Sequence, residues 1–251
     1  MFKRLAVAGL VLTVLSGCDP DAGAVPPGGP GSPAAASPAL TPPVDPAADR
    51  TADPTAAPAV SRRPATFEAD VQAALNTVVH YWKEEFAEHR RDFAAVRTIT
   101  QYRGADGPRC GEERLPPNNA AYCAGPDYIA YDQQWLRGEW SSIGATFVYY
   151  VIGHEYGHAI QQRLGLTASF TIKAELQADC LAGAYLGGSI ADGSLQLEEG
   201  DLRQLFDGIG SVADRPGVRW FATGAHGSAT QRRIAFFGGY FGTTRACTTE
   251  L

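Results

Sequence analysis

The sequence predicts a mainly α-helical domain of the α+β class, on three observations. Apolar residues recur at three- and four-residue intervals along several segments. Capping residues and glycines punctuate those segments at helical lengths. Only one short run, Tyr128 to Tyr131, reads as a strand.

The chain has 251 residues and a formal net charge of −6. Of its 17 prolines, 11 fall between Asp19 and Arg63, with 12 alanines and no Phe, Trp or Tyr. Such a stretch cannot bury enough apolar surface to offset chain entropy. Residues 18–63 therefore read as an extended, Pro/Ala-rich tether. The folded domain is expected over 64–251, long enough for a sizeable core. It carries 16 basic and 22 acidic residues and no basic run, which excludes a nucleic-acid binder. No apolar run is long enough for a polytopic membrane protein.

The elements follow in order. Thr66 can cap a helix from about Phe67 to Asp92, with Val71, Leu75, Val78, Val79, Trp82 and Phe86 at helical spacing. His80 and His89 lie on it without a metal-binding pattern and read as surface or packing residues. Residues 101–127 are rich in Gly, Pro and Asn and read as loop, before the strand Tyr128–Tyr131. A second long helix should start at Ser141 or Ser142 and stop at Gly165. A third should run from Lys173 to Leu186, ahead of Gly187-Gly188, and a fourth from Glu198 to Asp207. Ser228 and Gln231 form a capping box for a last helix, Ala229 to Phe237, before Gly238-Gly239.

The N-terminus reads as an address. Lys3 and Arg4 precede an apolar run from Leu5 to Leu15, the layout of a secretory signal peptide over residues 1–17. Leu15-Ser16-Gly17-Cys18 resembles the bacterial lipobox, and that resemblance implies lipidation of Cys18, an anchor to the membrane surface and an extracytoplasmic location. Setting Cys18 aside leaves Cys110, Cys123, Cys180 and Cys247, an even number that suggests two disulfides in an exported domain. Three pairings are possible; the favoured one closes a short local loop through Cys110–Cys123 and leaves Cys180–Cys247 to tie a helix to the C-terminus. A four-cysteine zinc site lacks any C-x-x-C spacing.

The chemistry is carried by His154-Glu155-Tyr156-Gly157-His158, an H-E-x-x-H motif inside the second long helix. Its histidines at i and i+4 share one helical face, so both imidazoles can reach one Zn²⁺. Glu155 is rotated off that stripe, where a general base for a zinc-activated water belongs. Gln161 and Leu164 exclude the extended motif with a third histidine. Downstream, Glu175 and Asp179 are also i and i+4. One can ligate the metal while the other orients a ligand histidine. Tyr156 could line the cleft or pack in the core. Arg232 could pair with a carboxylate near the site or be structural. His226, in a Gly-rich loop, could donate to an oxyanion or bond structurally.

These motifs, with Glu175-Leu176-Gln177-Ala178-Asp179-Cys180, His226-Gly227 and Gln231-Arg232, resemble the neutral zinc metallopeptidase family, over most of 67–245. They are also similar to the gluzincin arrangement. The resemblance implies a zincin-like core with Glu175 as third zinc ligand and Asp179 orienting a histidine. Ala121-Tyr122-Cys123 through Asp132 also resembles the family's strand before the active helix. Around Gly208 to Asp214 the pattern departs. The function expected is a membrane-tethered zinc metallopeptidase cleaving peptide or protein substrates. The alternatives are a non-catalytic, zinc-stabilised surface module and a zinc amidase acting on cell-wall peptides. By analogy with zincins, an extended peptide could add along Tyr128–Tyr131.

Overall fold

The computed structural model describes residues 66–251, apart from Trp220 and Thr223. The signal segment 1–17, Cys18 and the tether through residue 63 lie outside the described residues. Within them, six α-helices enclose the core and five short strands lie between the first two helices.

Helix α1 spans Phe67–Glu88. Thr66 caps it, its hydroxyl accepting from the Ala69 amide at 3.3 Å. Phe67, Val71, Ala74, Val78, Trp82 and Phe86 form its buried face. The helix stops short of Asp92 because the chain turns through Arg90 at φ 56°, a left-handed conformation that no α-helix continues.

The segment read as loop, 101–127, contains three of the five strands. β1 (Thr98–Tyr102) runs into it, β2 (Arg109–Cys110), β3 (Glu113–Arg114) and β4 (Ala120–Cys123) lie within it, and β5 (Tyr128–Asp132) follows. The main sheet has the order β1-β5-β4, with β1 parallel and β4 antiparallel to β5. Tyr128–Tyr131 therefore belongs to the central strand and cannot be the edge along which a peptide adds. Ile129, Ala130 and Tyr131 are all buried, as a strand paired on both sides requires. A disulfide joins Cys110 on β2 to Cys123 on β4.

The second long helix is in fact two. Asp132 caps α2 (Gln133–Ser142) by accepting from the Gln134 amide at 3.0 Å. Ser141 and Ser142 thus end a helix where they were expected to begin one. Gly144, at φ 127°, breaks the chain before α3 (Ala145–Leu164), which stops at left-handed Gly165. Then come α4 (Thr171–Ala191), α5 (Asp201–Ser211) and α6 (Ala229–Gly242), and a 3-10 turn at Thr244–Ala246. The capping box at Ser228 and Gln231 is formed in full.

Both α4 and α6 run through the glycine pairs expected to end them. Glycine here provides closeness. A Cβ at Gly183 would collide with the Phe236 carbonyl, and one at Gly239 with the Cys180 carbonyl. The α4–α6 contact is therefore backbone against backbone. A disulfide between Cys180 on α4 and Cys247 locks the C-terminal segment onto the same pair.

Candidate metal centre

Helix α3 is buried along nearly its whole length, so the H-E-x-x-H motif sits in the core. It meets α4 closely because Gly157 has no side chain: a Cβ there would lie 2.9 Å from the Ala178 carbonyl oxygen. That approach brings Glu175 and Asp179 up to the two histidines.

His154, His158 and Glu175 each offer one ligand atom, and these atoms lie within 4.8 Å of one another. His154 Nε2 is 3.2 Å from Glu175 Oε2, and His158 Nε2 is 3.5 Å from Oε1. The outer nitrogens are both engaged. His154 Nδ1 donates to Asp179 Oδ1 at 2.9 Å, and His158 Nδ1 donates to Gln161 Oε1 at 2.9 Å. With each Nδ1 carrying its proton, both Nε2 atoms turn lone pairs toward a carboxylate. Glu175 Oε2 is buried and has no hydrogen-bond partner. Electron pairs facing one another in a buried pocket call for a cation, and two imidazoles with one carboxylate suit Zn²⁺.

The electrostatics agree. Burial pushes His154 down, but the Asp179 and Glu175 carboxylates outweigh it and bring the ring up to about 10. Glu175 is driven far below the usual carboxylate range, the two histidines outweighing its desolvation. In the absence of metal, a proton supplies the positive charge the pocket requires.

Asp179 is fully buried and accepts four hydrogen bonds. Tyr150 Oη donates to Oδ1 at 2.7 Å alongside His154, while Arg232 donates from Nη2 to Oδ1 at 2.9 Å and from Nε to Oδ2 at 2.8 Å. His154 and Arg232 together outweigh burial and hold its carboxyl below the ordinary range. Arg232 comes from α6 and also donates to the Val212 carbonyl at 2.9 Å. Of its two expected roles, pairing with a carboxylate at the site is the one it adopts.

Glu155 points to the other side of the motif. Its Oε2 accepts from the Tyr122 amide at 2.8 Å, joining the active helix to β4. β4 is the sheet edge that borders the cleft. The cleft has a volume of about 820 Å³, and His154, Glu155, His158, Glu175, His226 and Tyr122 all reach its wall. His226 is half exposed, with Nδ1 3.6 Å from Asp214 Oδ1. Asp214 Oδ2 also accepts from the backbone amides of His226 and Gly227, at 2.9 and 2.7 Å, pinning that loop. Tyr156 is a packing residue, buried, with its hydroxyl accepting from the Val96 amide.

Three further residues that support the site, Tyr150, Gln161 and Asp214, belong to none of the motifs. Two of them carried a usable signal. Tyr150 is four residues before His154 and Gln161 three after His158, so each shares its histidine's face. Asp214 lies in an irregular segment with no periodicity to read.

Comparison with known proteins places the chain. The family described as "Putative neutral zinc metallopeptidase" matches residues 39–249, and the chain belongs to that family. The match begins inside the segment read as tether. Uncharacterized protein Rv2575 of Mycobacterium tuberculosis is 28% identical over 205 residues, covering 68% of this chain and 66% of that protein. Uncharacterized protein YpfJ of Escherichia coli K12 is 26% identical over 160 residues, covering 56% of this chain and 54% of that protein. The chain thus matches somewhat under two thirds of the mycobacterial relative and about half of the other. No solved structure matches significantly.

Proposed function

We propose that this protein is a zinc metallopeptidase that cleaves peptide bonds, with Glu155 as general base. The observation carrying the reading is the convergence of His154, His158 and Glu175 beside a carboxylate that is not a ligand. A purely structural zinc site needs no such base. Zinc bound there would polarise a carbonyl and acidify a water. Glu155 then takes the proton of the attacking water and passes it to the leaving amine. The Tyr122 amide holds Oε2, which leaves Oε1 for that proton.

The edge of β4 supports peptide binding. Since the Tyr122 amide points away from β5, ladder alternation turns Ala120 outward as well. An extended substrate can add there through main-chain hydrogen bonds. His226 lines the same cleft on a loop pinned by Asp214 and is the candidate donor to the oxyanion. The lipobox-like segment ending at Cys18 and the two disulfides support an extracytoplasmic chain, lipid-anchored to the membrane surface.

Zinc content and cleavage of a peptide library, measured on the full chain and on Glu155→Gln, test the reading. One zinc per chain is expected in both, with cleavage at least about 100-fold slower in the variant. Equal cleavage would overturn the mechanism. Zinc without turnover in the unaltered protein would make it a binding module instead.

A further inference from the structure

His158 lies at the end of a chain of side-chain amides that runs out of the metal centre. Its Nδ1 donates to Gln161 Oε1 at 2.9 Å. Gln161 Nε2 donates to the Ala174 carbonyl at 2.7 Å and to Gln177 Oε1 at 3.1 Å. Gln177 Nε2 donates to the Cys247 carbonyl at 3.0 Å. Cys247 is held to α4 by its disulfide with Cys180, three residues beyond Gln177.

The direction of this chain is set by the two backbone carbonyls along it, at Ala174 and Cys247. A backbone carbonyl can only accept. Ala174 and Cys247 therefore each require an NH₂ group, which orients both glutamine amides. Gln177 must then turn its oxygen to Gln161, and Gln161 must turn its oxygen to His158. Facing an acceptor, His158 must protonate at Nδ1, and the lone pair at Nε2 is left for the metal. Flipping either amide would set oxygen against oxygen at the next link.

We propose that Gln161 and Gln177 are positioning residues that fix the tautomer and the ring of His158, and that the Cys180–Cys247 disulfide anchors them. Zinc affinity then depends on a covalent bond that touches none of the ligands. The inference rests on the metal site alone and not on peptide hydrolysis. The disulfide acts through the placement of Cys247, whose carbonyl is the last acceptor of the relay. The disulfide ties the C-terminal segment, just past its turn at Thr244–Ala246, covalently to α4.

The test is a cycle of variants of the full chain, read by zinc affinity against a chelator and by the visible spectrum of the Co²⁺-loaded site. Gln177→Leu keeps the bulk but removes both links. Gln177→Glu keeps an acceptor for Gln161 but cannot donate to Cys247. The third member is the double variant Cys180→Ser with Cys247→Ser, and the fourth adds it to Gln177→Leu. Circular dichroism checks that each variant folds. Gln177→Leu and the cysteine variant are each expected to weaken zinc about tenfold and to change the Co²⁺ spectrum alike. Combined, they should weaken it no further, since both break one chain. Gln177→Glu should match the cysteine variant. Multiplying effects in the combined variant would overturn the proposal, as would unchanged affinity in a folded Gln177→Leu. If the cysteine variant does not fold, Gln177→Glu still decides: affinity equal to that of the unaltered protein contradicts the outer link.

Discussion

His154 and His158 are the same side chain on the same helix, one turn apart, yet they are supported in opposite ways. Behind His154 stands a charged assembly, Asp179 with Arg232 and Tyr150, closed to solvent. Behind His158 stand neutral amides, and the ring is partly open to the cleft. Both supports enforce the same tautomer, because each presents an acceptor to Nδ1. They differ in what failure costs. A buried ion pair that loses one partner leaves an uncompensated charge, whereas a lost amide leaves only neutral groups without their hydrogen bonds.

The largest effect should therefore come from Asp179. Asp179→Ala strands Arg232 and is expected to destabilise the fold by about 3–5 kcal/mol and to abolish tight zinc binding. Replacing both partners, Asp179→Leu with Arg232→Met, should restore much of the stability but not the zinc affinity. Denaturant unfolding and chelator competition measure the two. Stability unchanged in Asp179→Ala would erase the contrast between the supports.

A smaller effect is expected behind His158. Gln161→Leu should cost about 10- to 100-fold in zinc affinity while shifting stability by no more than about 1–3 kcal/mol. A loss of stability equal to that of Asp179→Ala would show that the amide support is no gentler than the charged one.

The subtlest difference is in protons. Without metal, His154 is raised to about 10 and is protonated at neutral pH. Zinc must displace that proton, so affinity should rise with pH through the neutral range. Calorimetry in buffers of different ionisation enthalpy should detect at least one proton released per zinc at pH 7. Asp179→Asn removes the main charge that holds the proton and should reduce the release. Zinc uptake without proton release would contradict the electrostatics given for His154.

Those supports were only partly legible in the sequence, and the reason is range. The H-E-x-x-H motif places its chemistry within one turn, so His154, Glu155 and His158 could be read from spacing. Glu175 and Asp179 had the right spacing between themselves, but ligand and partner were told apart by resemblance to a family. Which face of α4 meets α3 depends on Gly157 against Ala178, a contact between distant segments. The sheet edge was misread for a related cause. β4 is four residues long and begins with two alanines, too short and too weakly patterned to show alternation. Its position beside Glu155 is a tertiary fact. The helix ends misjudged at Gly187-Gly188 and Gly238-Gly239 belong to the same class, where glycine serves packing and the sequence offers only its usual association with stops.

In the proposed centre His154, His158 and Glu175 hold one zinc ion while Asp179 and Gln161 hold the histidines. Diffraction from zinc-loaded crystals of this protein at the zinc absorption edge tests it most directly. A single anomalous peak per chain is expected, about 2.0–2.2 Å from His154 Nε2, His158 Nε2 and a Glu175 oxygen. A peak coordinated by Asp179 or His226 instead, or no peak between α3 and α4, would contradict it.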